Sequence, residues 1–129
     1  RGIQVKASEI MERSEYKDPT FKTKTGHLVK TRAEMMIANF LFDNNLLFQY
    51  NTFATWADKD DFRSSFYIPK LDLYIDHHPY DYLKEYQKIM KAKIKQYEKH
   101  KKKHVYITSE DEKNIEDAIR LKMKPYIIL

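Results

Sequence analysis

The chain has 129 residues, which is enough for one domain with its own hydrophobic core. Hydrophobic residues make up 42% and charged residues 33%, a composition typical of a globular protein rather than a disordered one. The lack of cysteine excludes disulfides and thiolate metal sites. Because there is no apolar run of membrane-spanning length and no signal-peptide pattern at the start, we expect an intracellular protein, cytoplasmic or nuclear and not secreted.

Positive charge is the second bulk property of the sequence. The formal net charge is +5 and the pI is about 9.2, which favours a polyanionic partner such as nucleic acid. Residues 99–104 read Lys-His-Lys-Lys-Lys-His and follow a predicted helix. Cations at a helix end also suit the helix dipole without any ligand, so both interpretations stay open. The predicted nucleic-acid-binding residues are Lys93, Lys99, Lys101, Lys102 and Lys103.

The chain divides into an N-terminal arm or linker over residues 1–20, with a short helix near residues 7–13, and a domain over residues 21–129. Thr31 is a predicted N-cap because Glu34 follows it at capping-box spacing. The apolar residues that follow at helical spacing predict a helix over residues 31–43.

Alternation of apolar and polar side chains predicts the strands, and three-to-four-residue spacing predicts the later helices. The predicted strands are residues 46–50, 65–68, 71–76 and 104–108, with a further edge strand at 126–129. The predicted helices are residues 81–101 and a last helix that Ser109 caps and that continues to about Lys122. This order indicates an α/β fold with a mixed central sheet flanked by helices.

Three features together suggest phosphodiester chemistry. Asp76 is predicted to be the last residue of an alternating strand, Glu34 lies in the first turn of a helix, and Lys91, Lys93 and Lys95 follow on the next helix. Carboxylates bind Mg²⁺ or Mn²⁺, the metal activates a water molecule, and a lysine stabilises charge on the phosphate. Each residue also has an ordinary explanation: Glu34 as a cap, Asp76 as a strand end, and the lysines as a solvated helix face.

Two segments resemble a known family. Residues 30–42, KTRAEMMIANFLF, and residues 66–77, FYIPKLDLYIDH, are similar to the first helix and to the PDFYLPEYDIYIEH run of nuclease domains attached to helicase IV-type superfamily-one helicases. These domains belong to the PD-(D/E)XK, or restriction-endonuclease-like, superfamily. The resemblance spans about residues 22–122 and implies a DNA nuclease that uses Mg²⁺ or Mn²⁺ and forms part of a larger protein or complex.

The resemblance assigns a role to each candidate residue. Glu34 becomes the helix carboxylate near the metal, and Asp76 takes the place of the motif glutamate as a metal ligand. His78 stands where the motif lysine is usual, so the lysine is expected from the next helix, with Lys93 as the best match and Lys95 as the second.

One departure from the motif concerns the first acid, which falls on Ser65. A serine hydroxyl is a far weaker Mg²⁺ ligand than a carboxylate. Either the site is degenerate, or the aspartate was replaced, or another acid such as Asp61 or Asp72 has taken over. The sequence therefore supports two functions: a metal-dependent DNA endo- or exonuclease, and a degenerate nuclease-fold module that binds nucleic acid or a partner protein.

Two other patterns suggest ligand sites. His77 and His78 suggest a transition metal, but neighbouring residues on a strand point to opposite faces, which argues against a shared ion. Trp56 lies in a polar segment where it can stack on a base or cover the sheet.

Overall fold

The computed structural model describes residues 18–127, so the predicted N-terminal helix at 7–13 lies outside the described residues. The strands, in chain order, are β1 (Phe21–Lys22), β2 (Leu28–Val29), β3 (Gln49–Phe53), β4 (Arg63–Ile68), β5 (Leu73–His78) and β6 (Lys103–Thr108). The α-helices are α1 (Arg32–Asp43), α2 (Lys84–Lys99) and α3 (Ile115–Met123), and short 3-10 helices span Pro69–Leu71 and Asp111–Asn114.

The main sheet has four strands in the order β3-β4-β5-β6. The first three strands are antiparallel neighbours, and β6 pairs in parallel with β5 after the α2 crossover. Helices pack on both faces of this mixed sheet. The predicted fold class, a mixed α/β sheet flanked by helices, is therefore confirmed. The small β1–β2 ribbon was not predicted; its two-residue strands are too short to give a periodic signal.

Strand β5 lies inside the sheet, and all six of its residues are buried. Because side chains alternate between the two faces of a strand, Leu73, Ile75 and His77 face one side and Tyr74, Asp76 and His78 face the other. The first face is apolar apart from His77, and the second carries Asp76 and His78, so one strand borders two chemically different layers.

The hydrophobic core lies on the face of β5 that contains Ile75. It joins α1 and α3 to the sheet through residues that are almost completely excluded from solvent: Ile37, Leu41, Phe66, Ile68, Ile75, Ile107, Ile115, Ile119 and Met123. Burial of such side chains stabilises the fold by roughly 1.5–3 kcal/mol each. The other face is covered by α2, whose Lys93 and Tyr97 contact Asp76.

The start of α1 agrees with the sequence pattern. Thr31 is the N-cap, and its Oγ1 accepts a hydrogen bond from the Glu34 backbone N–H at 3.0 Å. The Glu34 carboxylate in turn accepts from the Lys30 backbone N–H at 3.1 Å, one residue before the N-cap. The predicted helix boundaries, residues 31–43, hold to within one residue because this signal is local.

Two predicted strands are displaced along the chain. The predicted strand at 46–50 is wrong for its first three residues: Asn45 is left-handed, and the Leu46 N–H caps the α1 carbonyl of Leu41, so β3 begins only at Gln49. The predicted strand at 71–76 instead spans Leu73–His78, because a left-handed Asp72 completes the preceding turn. His77 and His78 therefore belong to the strand, which ends at His78 and not, as predicted, at Asp76.

The later helices also differ at their ends. Helix α2 is shorter than the predicted 81–101 because residues 81–83 form a turn before it. Ser109 does not cap the last α-helix; a 3-10 helix intervenes, and Asn114 caps α3. Of the edge strand predicted at 126–129, residues 128 and 129 lie outside the described residues, and Tyr126 and Ile127 instead form backbone hydrogen bonds to Met123. Within residues 18–127, no helix has the length and apolar character needed to cross a bilayer.

The core predicts a contrast between two residues on α3. Ile119 is 0% exposed and Leu121 is 70% exposed, although they are only two positions apart. Ile119→Ala should lower the free energy of unfolding by about 2–5 kcal/mol, because it leaves a cavity under the sheet. Leu121→Ala should change it by less than about 0.5 kcal/mol. Urea unfolding followed by circular dichroism measures both, and equal losses would contradict this packing.

Candidate functional site

The candidate site is built around Asp76, which is only 2% exposed. Its Oδ1 accepts hydrogen bonds from the Lys93 Nζ at 2.9 Å and from the Ser65 backbone N–H at 3.0 Å. Its Oδ2 accepts from the Tyr97 hydroxyl at 2.6 Å. A longer contact from the Ser64 hydroxyl to Oδ1, at 3.4 Å, completes the set. Both carboxylate oxygens are therefore bonded to donors of the chain itself.

This arrangement keeps Asp76 ionised inside the protein. Burial alone raises the pKa of a carboxyl group, but the Lys93 ammonium and the hydrogen bonds from Tyr97 and Lys93 outweigh burial and hold the pKa of Asp76 below its ordinary value. Burial and the Asp76 charge also raise the pKa of Tyr97, so its hydroxyl stays protonated and acts as the donor.

Helix α2 supplies both side-chain donors because of its period. Lys93 and Tyr97 are four residues apart and therefore project from the same face of the helix. The Lys93 side chain is 22% exposed, so its stem is covered while its ammonium group reaches Asp76. Asp76 on the strand and Lys93 on the following helix, both predicted site residues, thus form a direct ion pair.

Ser65 lies beside Asp76, on the neighbouring strand. In addition to the backbone hydrogen bond to Asp76, its Oγ accepts from the His77 backbone N–H at 3.3 Å. Ser65 and Asp76, to which the resemblance assigns the two motif acids, are thus adjacent across the sheet. The other suggested replacements differ: Asp72 accepts from the Tyr67 hydroxyl at the turn, and Asp61 is exposed in a loop.

Glu34 is not brought to this cluster. Its carboxylate accepts from the Tyr50 hydroxyl at 2.9 Å, and Tyr50 packs against Phe66 on the apolar face of the sheet. Asp76 faces the opposite side of the sheet, under α2. The contacts described for the two carboxylates have no residue in common, so the structure places Glu34 at the start of α1 as a buried capping residue.

The residues around Asp76 do not fit a divalent metal ion. Mg²⁺ and Mn²⁺ bind through carboxylate oxygens, but the oxygens of Asp76 are hydrogen-bonded to an ammonium, a hydroxyl and an amide. A cation placed there would lie against the positive charge of Lys93. Within the described residues, no group of three or more histidines, aspartates and glutamates is arranged to hold a metal.

The two histidines of β5 point to opposite faces, as expected from strand geometry. The Nε2 of His77 lies 3.3 Å from a carboxylate oxygen of Glu112 without the geometry of a hydrogen bond. His78 hydrogen-bonds through Nδ1 to the Tyr86 hydroxyl at 2.8 Å, and burial lowers its pKa to about 4. His78 is therefore neutral at pH 7, and the two rings do not share a site.

An aromatic layer covers the Asp76 face. Tyr97 stacks on His104 with ring centroids 4.7 Å apart, and Trp56 packs against Tyr74 and Tyr97. The Trp56 indole N–H donates to the Tyr74 hydroxyl at 2.7 Å. Trp56 therefore covers the sheet, which was the second of the two roles predicted for it.

The predicted basic residues have different environments. Lys99 pairs with Asp58 at 2.6 Å, Lys102 lies over the Trp56 ring, and Lys103 donates to the Leu71 carbonyl. Lys95 and Lys101 are exposed. Lys95 belongs to a larger set, the lysine row, which consists of five exposed lysines at helical spacing along α2: Lys84, Lys88, Lys91, Lys95 and Lys99.

Sequence reasoning missed several residues of this site. Tyr97 was identified only as an apolar position, although its spacing from Lys93 places both on one helix face. Ser64, His104 and Asp58 had no local signal, because their contacts come from segments that are distant in sequence.

Searches against protein-family models, curated proteins and solved structures find no match to this chain. The resemblance to helicase-attached nuclease domains therefore rests on the two motif segments of the sequence and stays a prediction.

The buried carboxylate predicts a pH-dependent stability. Because the native pKa of Asp76 is below the unfolded value of about 3.9, its ion pair stabilises the fold above that pH. This stabilisation is lost as the pH falls through the native pKa. Asp76→Asn should lower the free energy of unfolding at pH 7 by roughly 3 kcal/mol, and should make unfolding less pH-dependent below about pH 5.

The control for this prediction is Asp43→Asn, which breaks the exposed pair of Asp43 with Lys24. It should cost less than about 1 kcal/mol at pH 7. Chemical unfolding at several pH values measures both variants. Equal losses for the two variants would show that the Asp76 pair is not a buried one.

Proposed function

We propose that this chain is a nucleic-acid-binding domain with a restriction-endonuclease-like core, in which the centre for phosphodiester cleavage is degenerate. The observation that carries the proposal is the lysine row on the outer face of α2, the helix that covers Asp76. The mixed sheet between helices and the two motif segments support the nuclease-like core. We propose DNA as the partner, contacted within a larger protein or complex.

The lysine row has the charge and the length for a nucleic-acid backbone. Residues 84–103 contain nine lysines and two glutamates, so the local positive charge exceeds the net +5 of the chain. From Lys84 to Lys99 the row extends about 22 Å along the helix. In the described part of the chain, Lys84, Lys88, Lys91 and Lys95 have no carboxylate partner. These ammonium groups remain available to phosphates.

The state of Asp76 supports the loss of cleavage. Hydrolysis of a phosphodiester by such a centre requires carboxylate oxygens that hold a metal and position a water molecule. Asp76 instead has a lysine counter-ion, and Ser65 supplies a backbone N–H and a hydroxyl where a second carboxylate is expected. The inner side of α2 neutralises Asp76, while the outer side presents the lysine row.

Neutralising the lysine row tests the binding proposal. The triple variant Lys88→Gln, Lys91→Gln and Lys95→Gln should bind DNA more weakly at low salt. Each lost phosphate contact removes about 0.9 from the slope of log K against log salt on duplex DNA. The slope should therefore fall by about 2 to 3 units, which fluorescence anisotropy over a salt series measures.

The matched control replaces three exposed lysines on other elements, Lys22, Lys70 and Lys124, with glutamine. It makes the same change in net charge, so it should lower affinity much less and leave the slope nearly unchanged. Identical effects of the two triple variants would contradict a specific surface on α2. Absence of DNA binding by the unmodified chain at low salt would overturn the proposed function.

A second experiment tests whether the cleavage centre is degenerate. The unmodified chain should cleave single- and double-stranded DNA weakly or not at all in Mg²⁺ or Mn²⁺. Without a second carboxylate the metal and its water are poorly positioned, and a misplacement of about 1 Å costs on the order of a hundredfold in rate. Ser65→Asp places a second carboxylate beside Asp76 and should increase metal-dependent cleavage. Adding Asp76→Ala to that variant should abolish the gain.

The outcomes of this experiment distinguish the candidate functions. Strong cleavage by the unmodified chain would show that it is an active metal-dependent nuclease and that the motif acid lies elsewhere. Cleavage only by the Ser65→Asp variant supports an inactivated nuclease centre. No cleavage by either form favours a binding module that has no metal-dependent cleavage centre.

A further inference from the structure

The Asp58 carboxylate lies at the centre of a set of donors from the last turn of α2. Its Oδ2 accepts from the Lys99 Nζ at 2.6 Å and from the Gln96 Nε2 at 3.0 Å. Its Oδ1 lies 3.1 Å from the His100 Nε2. The Asp58 backbone N–H donates to the Gln96 Oε1 at 3.0 Å and fixes the loop at the same place. Three side chains thus converge on one anionic group.

The donor set also suits a phosphate. An ammonium, an amide N–H and an imidazole nitrogen bind the oxygens of a carboxylate and of a phosphate by the same charge-assisted hydrogen bonds. The hydrogen bonds from Lys99 and Gln96 lower the pKa of Asp58, so the group is an anion at pH 7. Asp58 and Lys99 are both well exposed, so another anion can replace the carboxylate without unfolding.

Asp58 belongs to the segment that covers the candidate site, residues 54–62, which we call the Trp56 loop. The loop connects β3 to β4 and places Trp56 and Phe62 against Tyr97. The Trp56 ring also packs on His100, with centroids 5.4 Å apart. Contacts of Asp58 and contacts of Trp56 therefore hold the loop to the same end of α2.

Lys99 connects this cluster with the lysine row. It is the last member of the row, and it is the member whose ammonium group is occupied by a carboxylate of the chain. A nucleic-acid strand that follows the row toward the end of α2 meets Asp58 where it would otherwise place a phosphate. The Asp58 carboxylate would compete with the phosphates of the nucleic acid for the same donors.

We propose that Gln96, Lys99 and His100 form a phosphate-binding site that Asp58 fills in the free protein. A phosphate of the bound nucleic acid displaces the Asp58 carboxylate, and the Trp56 loop is released from the end of α2. The inference rests on the proposed nucleic-acid function and names one subsite of that surface. Because the Asp58 carboxylate must be displaced first, the Trp56 loop lowers the affinity of this site for phosphate.

Asp58→Asn tests the competition by removing the charge and keeping the size of the side chain. It should bind a labelled DNA duplex roughly fivefold more tightly at low salt, the factor expected for an exposed ion pair. The control is Asp43→Asn, which makes the same charge change at the pair with Lys24 and should stay within about twofold of the unmodified chain.

Fluorescence gives a second measurement, because Trp56 is the only tryptophan of the chain. Inorganic polyphosphate is the probe, since it offers phosphates without bases that stack on the indole. It should shift the Trp56 emission of the unmodified chain to longer wavelength, as the ring leaves Tyr74 and Tyr97. The Asp58→Asn variant should show part of this shift before any polyphosphate is added.

The outcomes separate the subsite from the function. DNA binding that Asp58→Asn and Asp43→Asn change equally, with Trp56 emission unaffected by saturating polyphosphate, would overturn the subsite and leave the proposed function standing. A polyphosphate-induced emission shift with no DNA binding would support the phosphate site and overturn nucleic acid as its ligand. Tighter binding by Asp58→Asn alone, together with the emission shift, supports the inference.

Discussion

The ion pair between Asp76 and Lys93 is the constraint on which the rest of this structure depends. A carboxylate that is almost completely buried is costly unless its charge is balanced and its oxygens are hydrogen-bonded. Three elements meet these needs: α2 supplies Lys93 and Tyr97, β4 supplies the Ser65 backbone, and β5 holds Asp76 itself. The packing of α2 on the sheet therefore combines these polar contacts with ring contacts of Tyr97, whereas α1 and α3 pack on the sheet through apolar residues.

This division explains which parts of the molecule the sequence predicts. The start of α1 follows from Thr31 and Glu34 alone, because a capping box is a local interaction. The end of β5 does not follow from the local sequence. The strand continues through His77 and His78 because β6 pairs with it as far as His78 and Thr108. Likewise, β3 begins later than predicted because Asn45 is left-handed, and no sequence pattern in that segment indicates this conformation.

The candidate site was also predictable only in part from the sequence. Asp76 was identified from a motif segment, Ser65 and Lys93 from the resemblance extended to the preceding residue and to the next helix, and the structure places the three together. Glu34 was grouped with them from its place in the first helical turn and from the resemblance, but its carboxylate accepts a hydrogen bond from Tyr50 on the other face of the sheet. The Asp58 contacts were beyond sequence reasoning, since 38 to 42 residues separate Asp58 from its partners on α2.

Charge balance links the serine at position 65 to the lysine at position 93. A centre with two carboxylates and one lysine has an excess negative charge, and a divalent cation is a favourable way to neutralise it. With Ser65, one carboxylate faces one ammonium, and the pair is neutral without a metal. In the function that we propose, a serine in place of the motif acid removes both a ligand and the electrostatic reason for binding the ion. Lys93 is then the structural counter-ion of Asp76, and the proposed nucleic-acid affinity depends on the lysines that face solvent.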